Sequence, residues 1–144
     1  MHVTQLFTAK QIQPTEKVPL LSNHSAFGDP FPINNHAEAK INLHEFIVKD
    51  PLATFFVQVE GEPMLEVRIR SGDLLMVDRS LTPQNGSTVI AELEKKELTV
   101  KEIQLTKNKA WLITRNPQTK PINITGYVDN VVWGVVVHRI HSCQ

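Results

Sequence analysis

The stretch from Gly61 to Asp78, GEPMLEVRIRSGDLLMVD, has the pattern best suited to displaying a reactive side chain. A short strand leads into a glycine-led turn, and a second turn at Gly72-Asp73 leads into the apolar run from Leu74 to Val77. A strand, a sharp turn and a hydrophobic strand in this order often present one reactive side chain at a sheet edge. The residue at the tip of the first turn is Pro63, which has no hydroxyl to offer.

Histidine and cysteine, the other residue types that could carry chemistry, are not arranged as ligands. The single cysteine, Cys143, excludes a disulfide framework and a cysteine-based zinc cluster within one chain. The closest histidines, His138 and His141, are predicted to point to opposite faces of a strand because strand side chains alternate. We therefore expect no metal site and no cofactor.

Length and composition predict one soluble domain. The chain has 144 residues, of which 41% are hydrophobic and 21% are charged, so it can bury one proper core. Fifteen basic residues balance fifteen acidic ones, which argues against direct, sequence-specific nucleic-acid binding because phosphate affinity needs clustered Lys and Arg. No apolar run approaches the roughly 20 residues of a membrane helix, and no leader pattern follows Met1. The predicted location is the cytoplasm.

Residues 1–40 differ from the rest of the chain. They contain four of the prolines, many polar residues and no sustained hydrophobic period, which predicts a flexible N-terminal arm. Within the arm, Gly28-Asp29-Pro30-Phe31-Pro32 is predicted to be extended because prolines bias themselves and their preceding residues that way. Such a segment suits a protease substrate or a docking peptide, and a plain linker is the alternative.

Residues 41–144 are predicted to form the folded domain. Asn42 and Glu45 have the spacing of a capping box, so a short helix is expected to begin there and to end at Asp50-Pro51. From Ala53 onward the pattern is of strands and turns, including a charged hairpin tip from Glu94 to Glu97. The predicted strands are Thr54–Val59, Leu74–Val77, Thr88–Ala91, Leu98–Ile103, Trp111–Ile113, Ile122–Ile124 and Val131–Ile140.

Four motifs, in this order, resemble the UmuD branch of the LexA/UmuD self-cleaving serine peptidases. They are Gly61-Glu62-Pro63-Met64, Ser71-Gly72-Asp73-Leu74-Leu75-Met76-Val77-Asp78, Leu98-Thr99-Val100-Lys101 and Trp133-Gly134-Val135-Val136. The resemblance extends back to Gly28-Asp29-Pro30-Phe31-Pro32 and thus covers nearly the whole chain. It implies a mainly β fold: a LexA/UmuD-type twisted antiparallel β domain (β-clip-like) with one short helix and an extended N-terminal arm.

The resemblance also assigns roles to individual positions. In the family a serine between the acidic residue and the methionine attacks a bond in the arm, and a lysine on a later strand removes its proton. Lysine can act as this base only when desolvation lowers its pKa. Lys101 occupies the base position, but the nucleophile position is Pro63, which lacks both a hydroxyl and a backbone N–H. Lys101 without a serine is expected to be solvated at its head or paired with a carboxylate.

The cleavage segment departs from the family pattern as well. The scissile-type bond aligns with Phe27–Gly28, and Phe27 is larger than the Ala or Cys that the family usually carries there. A pocket built for a methyl-sized side chain would reject it, although Phe27 could instead anchor the arm. The nearby hydroxyls of Ser71, Ser80 and Ser87 lie at sequence positions that give no reason to place them beside Lys101.

Two functions are consistent with these residues. The first is a non-cleaving UmuD-like accessory protein of the SOS response and translesion DNA synthesis. It would form a homodimer, or a heterodimer with an active UmuD-like protein, and act with a UmuC-type polymerase and with RecA filaments. The alternative is a chain that is still cut at Phe27–Gly28, by an active family member in trans or by residual self-cleavage.

Overall fold

The structure is a computed structural model that describes residues 1–9, 18–21, 37–62, 64, 67–114 and 118–144. For residues 18–21 and 37–41 only the backbone is described. Within these ranges the regular secondary structure is mainly β, as the sequence predicted. The strands are β1 His2–Thr8, β2 Val18–Leu21, β3 Ala37–Ile41, β4 Thr54–Glu60, β5 Leu74–Asp78, β6 Thr88–Glu92, β7 Leu98–Leu105, β8 Ala110–Ile113, β9 Ile122–Asn123 and β10 Val132–Ile140. The helices are α1 Leu43–Ile47 and α2 Val128–Val131.

Eight strands form one antiparallel sheet that closes on itself. Its order is β1-β4-β5-β10-β6-β7-β8-β9, and β1 also pairs with β7 through His2 and Thr99. The strands from β1 to β7 in this order therefore make a barrel, with β8 and β9 extending from its edge. β2 and β3 pair separately as a two-stranded sheet.

The barrel is filled by side chains that alternate inward along its strands. β4, β5, β6 and β7 each contribute buried aliphatic residues to one cluster: Val57, Val59, Leu75, Val77, Ile90 and Val100. A second cluster packs under the β6–β8 hairpins and includes Val89, Ile103, Leu112 and Ile124. β7 contributes to both clusters, because its successive side chains point to opposite faces of the sheet.

The closing strand β10 lies inside the sheet, between β5 and β6. Gly134 on this strand is buried, and a Cβ added there would meet Val77 Cγ1 at 2.5 Å. Glycine is required at this position because β10 and the Val77 side chain of β5 leave no space for a methyl group. The sequence predicted this strand as one that is buried on both faces or forms an interface, and the buried part is Gly134 and Val135.

The short helix predicted after Asn42 is confirmed. The Asn42 side chain accepts a hydrogen bond from the Glu45 N–H at 3.2 Å, as an N-cap does. The prediction of one short helix was nevertheless incomplete, because α2 forms a second one just before β10. α2 has four residues and no side-chain N-cap, so the local signals used to find α1 are missing there.

The first residues of the chain differ from the predicted free arm. β1 is hydrogen-bonded along its length to β4, and Ala9 after it is fully buried. The edge of β4 and the backbone of β7 need hydrogen-bond partners, and β1 supplies them although its own sequence has no strand-like alternation of polar and apolar residues. The division of the chain into an arm and a folded domain at residue 40 stays a prediction.

None of the helices in the described ranges is long and apolar enough to cross a membrane.

Candidate functional site

The turn between β4 and β5 carries the position where the family places its nucleophile. Gly61 begins this turn with a φ of +122°, and a Cβ added to it would lie 3.1 Å from the Met1 Cα. Met64 and Ile69 exchange backbone hydrogen bonds of 2.9 and 3.1 Å and bury their side chains in the barrel core. Pro63 itself, between them and Gly61, lies outside the described residues.

The second turn is built around Asp73, whose side chain is only 2% exposed. One carboxylate oxygen accepts the Arg70 N–H at 2.9 Å, and the other lies 2.5 Å from Nδ1 of His141. The Gly72 N–H donates to the Val59 carbonyl at 2.7 Å, which fixes this turn to β4. Asp73 therefore acts as the turn former that the sequence predicted.

The end of β10 and the residue that follows it hold the segment from Arg68 to Asp73 from the other side. Arg139 Nη1 donates to the carbonyl of Arg68, a residue with a positive φ of 59°. His141 was predicted to point away from His138 on one strand, but β10 ends at Ile140 and His141 binds Asp73 instead. We call Asp73, Arg139 and His141 the C-terminal clasp. Sequence spacing could not have predicted this clasp, because His141 and Asp73 lie 68 residues apart in the chain.

Lys101 lies on β7 opposite the fully buried Val89 of β6. Its side chain is partly buried, and this burial lowers the pKa of the Lys101 ammonium below its usual value. Lys101 Nζ donates a hydrogen bond of 2.9 Å to Thr114 Oγ1. The amine of Lys101 was expected to be solvated or paired with a carboxylate, but in the structure it is hydrogen-bonded to the Thr114 hydroxyl.

Thr114 reaches Lys101 because of the strand register. Glu102 of β7 pairs with Ile113 of β8, so the next residue, Thr114, stands across from Lys101. Directly opposed side chains on antiparallel strands lie about 5 Å apart at Cβ, within reach of a lysine. The sequence analysis missed Thr114, and counting the register through the β7–β8 hairpin is the signal that could have found it.

The first residue also lies near this position. The Val100 N–H donates to the Met1 carbonyl at 3.2 Å, which brings the start of the chain beside β7. Burial lowers the pKa of the Met1 amine, the charge of Lys101 lowers it further, and Glu62 acts in the opposite direction. The Met1 amine is therefore close enough to both Lys101 and Glu62 for their charges to act on it at this end of the barrel.

The three serines considered as substitute nucleophiles are engaged in turns. Ser71 Oγ accepts the Gly61 N–H, Ser80 Oγ donates to Asp78, and Ser87 Oγ accepts the Gln84 N–H. Their hydrogen bonds do not include Lys101, whose hydroxyl partner is Thr114. Phe27 and Gly28, the predicted scissile-type pair, lie outside the described residues. In the part of the chain that the structure describes, no three His, Cys, Asp or Glu side chains cluster as metal ligands.

The barrel, the Gly72-Asp73 turn and the lysine on β7 can now be compared with known proteins. The family model described as Peptidase S24-like matches residues 19–137 of this chain. Protein ImpA of Salmonella typhimurium is 36% identical over 128 residues, which cover 88% of this chain and 85% of that protein. Protein MucA of Escherichia coli is 34% identical over 136 residues, which cover 94% and 92%.

A match to a LexA protein supports the same grouping. The LexA repressor of Photorhabdus laumondii is 36% identical over 107 residues, which cover 74% of this chain and 52% of the repressor. The family model spans most of the chain, and the relatives above share more than 30% of its residues over most of its length. The chain therefore belongs to the Peptidase S24-like family, as its resemblance to the LexA/UmuD proteins predicted.

Proposed function

We propose that this chain is a UmuD-like accessory protein of the SOS response and error-prone translesion DNA synthesis. It acts as a dimer, and it does not cleave itself by the serine route of its family. The observation that carries the proposal is the combination of a retained base position, Lys101, with proline at the nucleophile position, Pro63. Removing the nucleophile of such a pair costs many orders of magnitude in rate.

The state of the fold supports a role in binding rather than a decayed protein. The Asp73 side chain is buried with a partner at each carboxylate oxygen, and a cluster of buried aliphatic side chains fills the barrel. A scaffold that keeps this order after losing its nucleophile can still present surfaces to other proteins. The partners we propose are a second copy or an active UmuD-like protein, a UmuC-type polymerase and the RecA filament.

The balanced charge of the chain is consistent with working through protein partners. Fifteen basic and fifteen acidic residues give no net attraction to DNA phosphates. The protein would therefore come to damaged DNA by binding the polymerase or the filament in the cytoplasm. Co-purification with a UmuC-type polymerase tests this directly, and failure to bind any such polymerase would contradict it.

The second candidate function is that of a chain still cut at Phe27–Gly28. The observation in its favour is that Lys101 remains partly buried with a lowered pKa, the property that a base for a serine requires. An active family member acting in trans, or residual self-cleavage, would produce the cut. In this case the protein would be a processed subunit rather than a permanently intact one.

One experiment separates the two functions. The purified protein is incubated with RecA filaments on single-stranded DNA and ATP, with and without an active UmuD-like protein, and followed by intact mass spectrometry. The first function predicts an unchanged mass in both reactions. A shorter product that needs the active partner would identify a substrate in trans, and a product formed without the partner would refute the loss of self-cleavage.

Restoring the hydroxyl by Pro63→Ser is a gain-of-function test of the same idea. We expect self-cleavage to rise at least about tenfold above the unchanged protein, because a serine would regain a desolvated lysine as its base. The rate should rise further in Pro63→Ser with Phe27→Ala, since the smaller residue relieves the steric conflict. The matched control is Pro63→Ser with Lys101→Ala, in which cleavage should disappear; cleavage that persists there would refute the base role of Lys101.

A further inference from the structure

Lys101 differs from the lysines on the surface in how its amine is held. Its stem lies on a central strand beside the buried Val89, and its Nζ atom is fixed by Thr114 Oγ1 at 2.9 Å. Lys107 and Lys109, in the β7–β8 hairpin of the same chain, are exposed. The surroundings of Lys101 therefore favour one position of its amine, whereas exposed lysines sample many.

The direction of the hydrogen bond determines what the amine can do. In the ammonium form Nζ donates to Thr114 Oγ1. After the loss of one proton a remaining N–H can keep the same bond, and in that arrangement the nitrogen lone pair is free. Burial favours the neutral form, because it lowers the pKa of Lys101.

In the family reaction this lone pair would take the proton of a serine. Position 63 is proline, so that proton donor does not exist in this chain. The other serines of the two turns and of the loop before β6 hydrogen-bond elsewhere. The amine is thus prepared for deprotonation with no serine hydroxyl to activate, and a neutral, positioned amine is itself a nucleophile.

We propose that the Lys101–Thr114 pair is a modification site at which the Lys101 amine takes an activated acyl group, supplied by an acyl phosphate or a thioester. In this step the Nζ–C bond forms, and the bond from the acyl carbon to the phosphate oxygen or to the thiol sulfur breaks. The leaving group departs with its electron pair, and the proton lost from Nζ goes to the leaving group or to water. The product is an amide that carries no charge.

This inference goes beyond the proposed function and shares with it the premise that position 63 has no hydroxyl, but its labelling test does not depend on whether the chain binds a polymerase or is cut. Acylation would neutralise a charge that lies near the Met1 amine, and would consume the base that Pro63→Ser needs. It would change the electrostatics of the barrel end formed by β1 and β7 without cutting the chain. The site thus gives a family member without its nucleophile a separate covalent chemistry.

The test measures acetylation of each lysine in the full-length protein. The protein is incubated with limiting acetyl phosphate or, separately, with the acetyl thioester of N-acetylcysteamine from pH 7 to pH 10, and digested for quantitative mass spectrometry. We expect Lys101 to react at least about fivefold faster than Lys107 and Lys109 near pH 7.5, since each unit of lowered pKa gives about tenfold more neutral amine. The advantage should shrink as the pH rises and the exposed lysines also lose their protons.

Variants separate the role of Thr114 from simple exposure. Thr114→Ser keeps the hydroxyl and should keep the preference for Lys101, whereas Thr114→Val should reduce it at least about threefold because the amine loses its anchor. Lys107→Arg is the matched control and should leave the Lys101 rate unchanged. If Thr114→Val fails to fold, the labelling rate of Lys101 relative to Lys107 and Lys109, measured in the unchanged protein and in Thr114→Ser, still tests the proposal.

The possible results decide between support and refutation. Faster labelling of Lys101 by either donor supports the proposal, and the donor that reacts identifies the source of the acyl group. Labelling of Lys101 at or below the rates of Lys107 and Lys109 with both donors overturns it. Equal rates in Thr114→Ser and Thr114→Val would overturn the part assigned to Thr114.

Discussion

The Asp73 turn and the Lys101 position on β7 both hold an ionisable side chain away from solvent, but they are bonded to very different degrees. Asp73 is almost completely buried and has a partner at each carboxylate oxygen, one from its own turn and one from the C-terminal clasp. Lys101 is partly buried and is held by one threonine hydroxyl. The first position supports the fold, whereas the second is tied to it by the hydrogen bond to Thr114.

The difference shows that two ionisable side chains of one domain can be held by very different sets of hydrogen bonds. The Gly72-Asp73 turn positions the strand that follows it, so its hydrogen bonds contribute to stability whether or not the protein cleaves anything. Lys101 lies on β7, a strand that β6 and β8 already hold by backbone pairing on both sides. Substitutions at the two positions should therefore have very different effects on stability.

Asp73→Ala should have the largest effect. The substitution leaves the Arg70 N–H and the His141 ring without their carboxylate, and we expect the free energy of unfolding to fall by about 2–4 kcal/mol. Urea denaturation followed by circular dichroism measures this. Asp129→Ala, at an exposed carboxylate of α2, is the matched control and should change stability by less than about 0.5 kcal/mol.

A double-mutant cycle with His141→Ala sharpens this prediction. If the clasp acts through Asp73, the two substitutions should cost less together than the sum of their separate effects, with a coupling of at least about 0.5 kcal/mol. If Asp73→Ala lowered the free energy of unfolding by less than about 1 kcal/mol, the expected difference in stability effect between Asp73 and Lys101 would be contradicted.

Thr114→Val should have an intermediate effect. It removes one hydrogen bond to a partly buried amine, so the expected loss is about 0.5–1.5 kcal/mol. Thr114→Ser, which keeps the hydroxyl, should restore most of that loss in the same urea titration. A loss as large as that of Asp73→Ala would mean that Lys101 supports the fold as strongly as the turn does.

Lys101→Met should have the smallest effect at neutral pH, below about 1 kcal/mol, because the lost hydrogen bond and the relieved desolvation oppose each other. Its pH dependence is the more informative result. Burial lowers the pKa of Lys101 in the folded chain, so between the folded and unfolded pKa values the unfolded chain binds more protons. Stability of the unchanged protein should therefore rise with pH across that alkaline window, relative to Lys101→Met.

Thermal unfolding of both proteins from pH 7 to pH 11 measures this difference. Parallel curves for the unchanged protein and Lys101→Met would contradict a desolvated lysine. Lys107→Met serves as the matched control, since Lys107 is exposed in the β7–β8 hairpin. Its curve should not show the alkaline gain that is expected from Lys101.

The sequence predicted those parts of the fold that depend on local pattern. The cap at Asn42, the strands from Thr54 to Ile113 and the charged tip at Glu94 follow from residue types within a few positions of one another. Lys95 and Lys96 in that tip adopt positive φ angles, which a short reversal between two strands imposes even on lysine. The base role of Lys101 and the nucleophile role of position 63 were both predicted from the resemblance to the LexA/UmuD motifs.

The residues missed by the sequence analysis depend on contacts between distant segments. Thr114 meets Lys101 only through the register of β7 and β8, and His141 meets Asp73 only after β10 has been placed beside β5. β1 was missed for a related reason: Leu6 and Phe7 are exposed, so the strand lacks a buried stripe and is defined by the backbone groups it pairs with. Hydrogen bonds of this kind leave no periodic trace in the sequence.

The pairing of β1 gives a cut at Phe27–Gly28 a consequence apart from the active site. β1 and β2 lie on the amino side of that bond, so after cleavage the fragment would be held noncovalently, by β1 against β4 and β7 and by β2 against β3. Its departure would uncover the outer edge of β4 and the Val100 N–H that now donates to Met1. An uncovered β edge is a template for another strand. A cut followed by loss of this fragment would thus convert a closed barrel into one that offers a docking edge to a second chain.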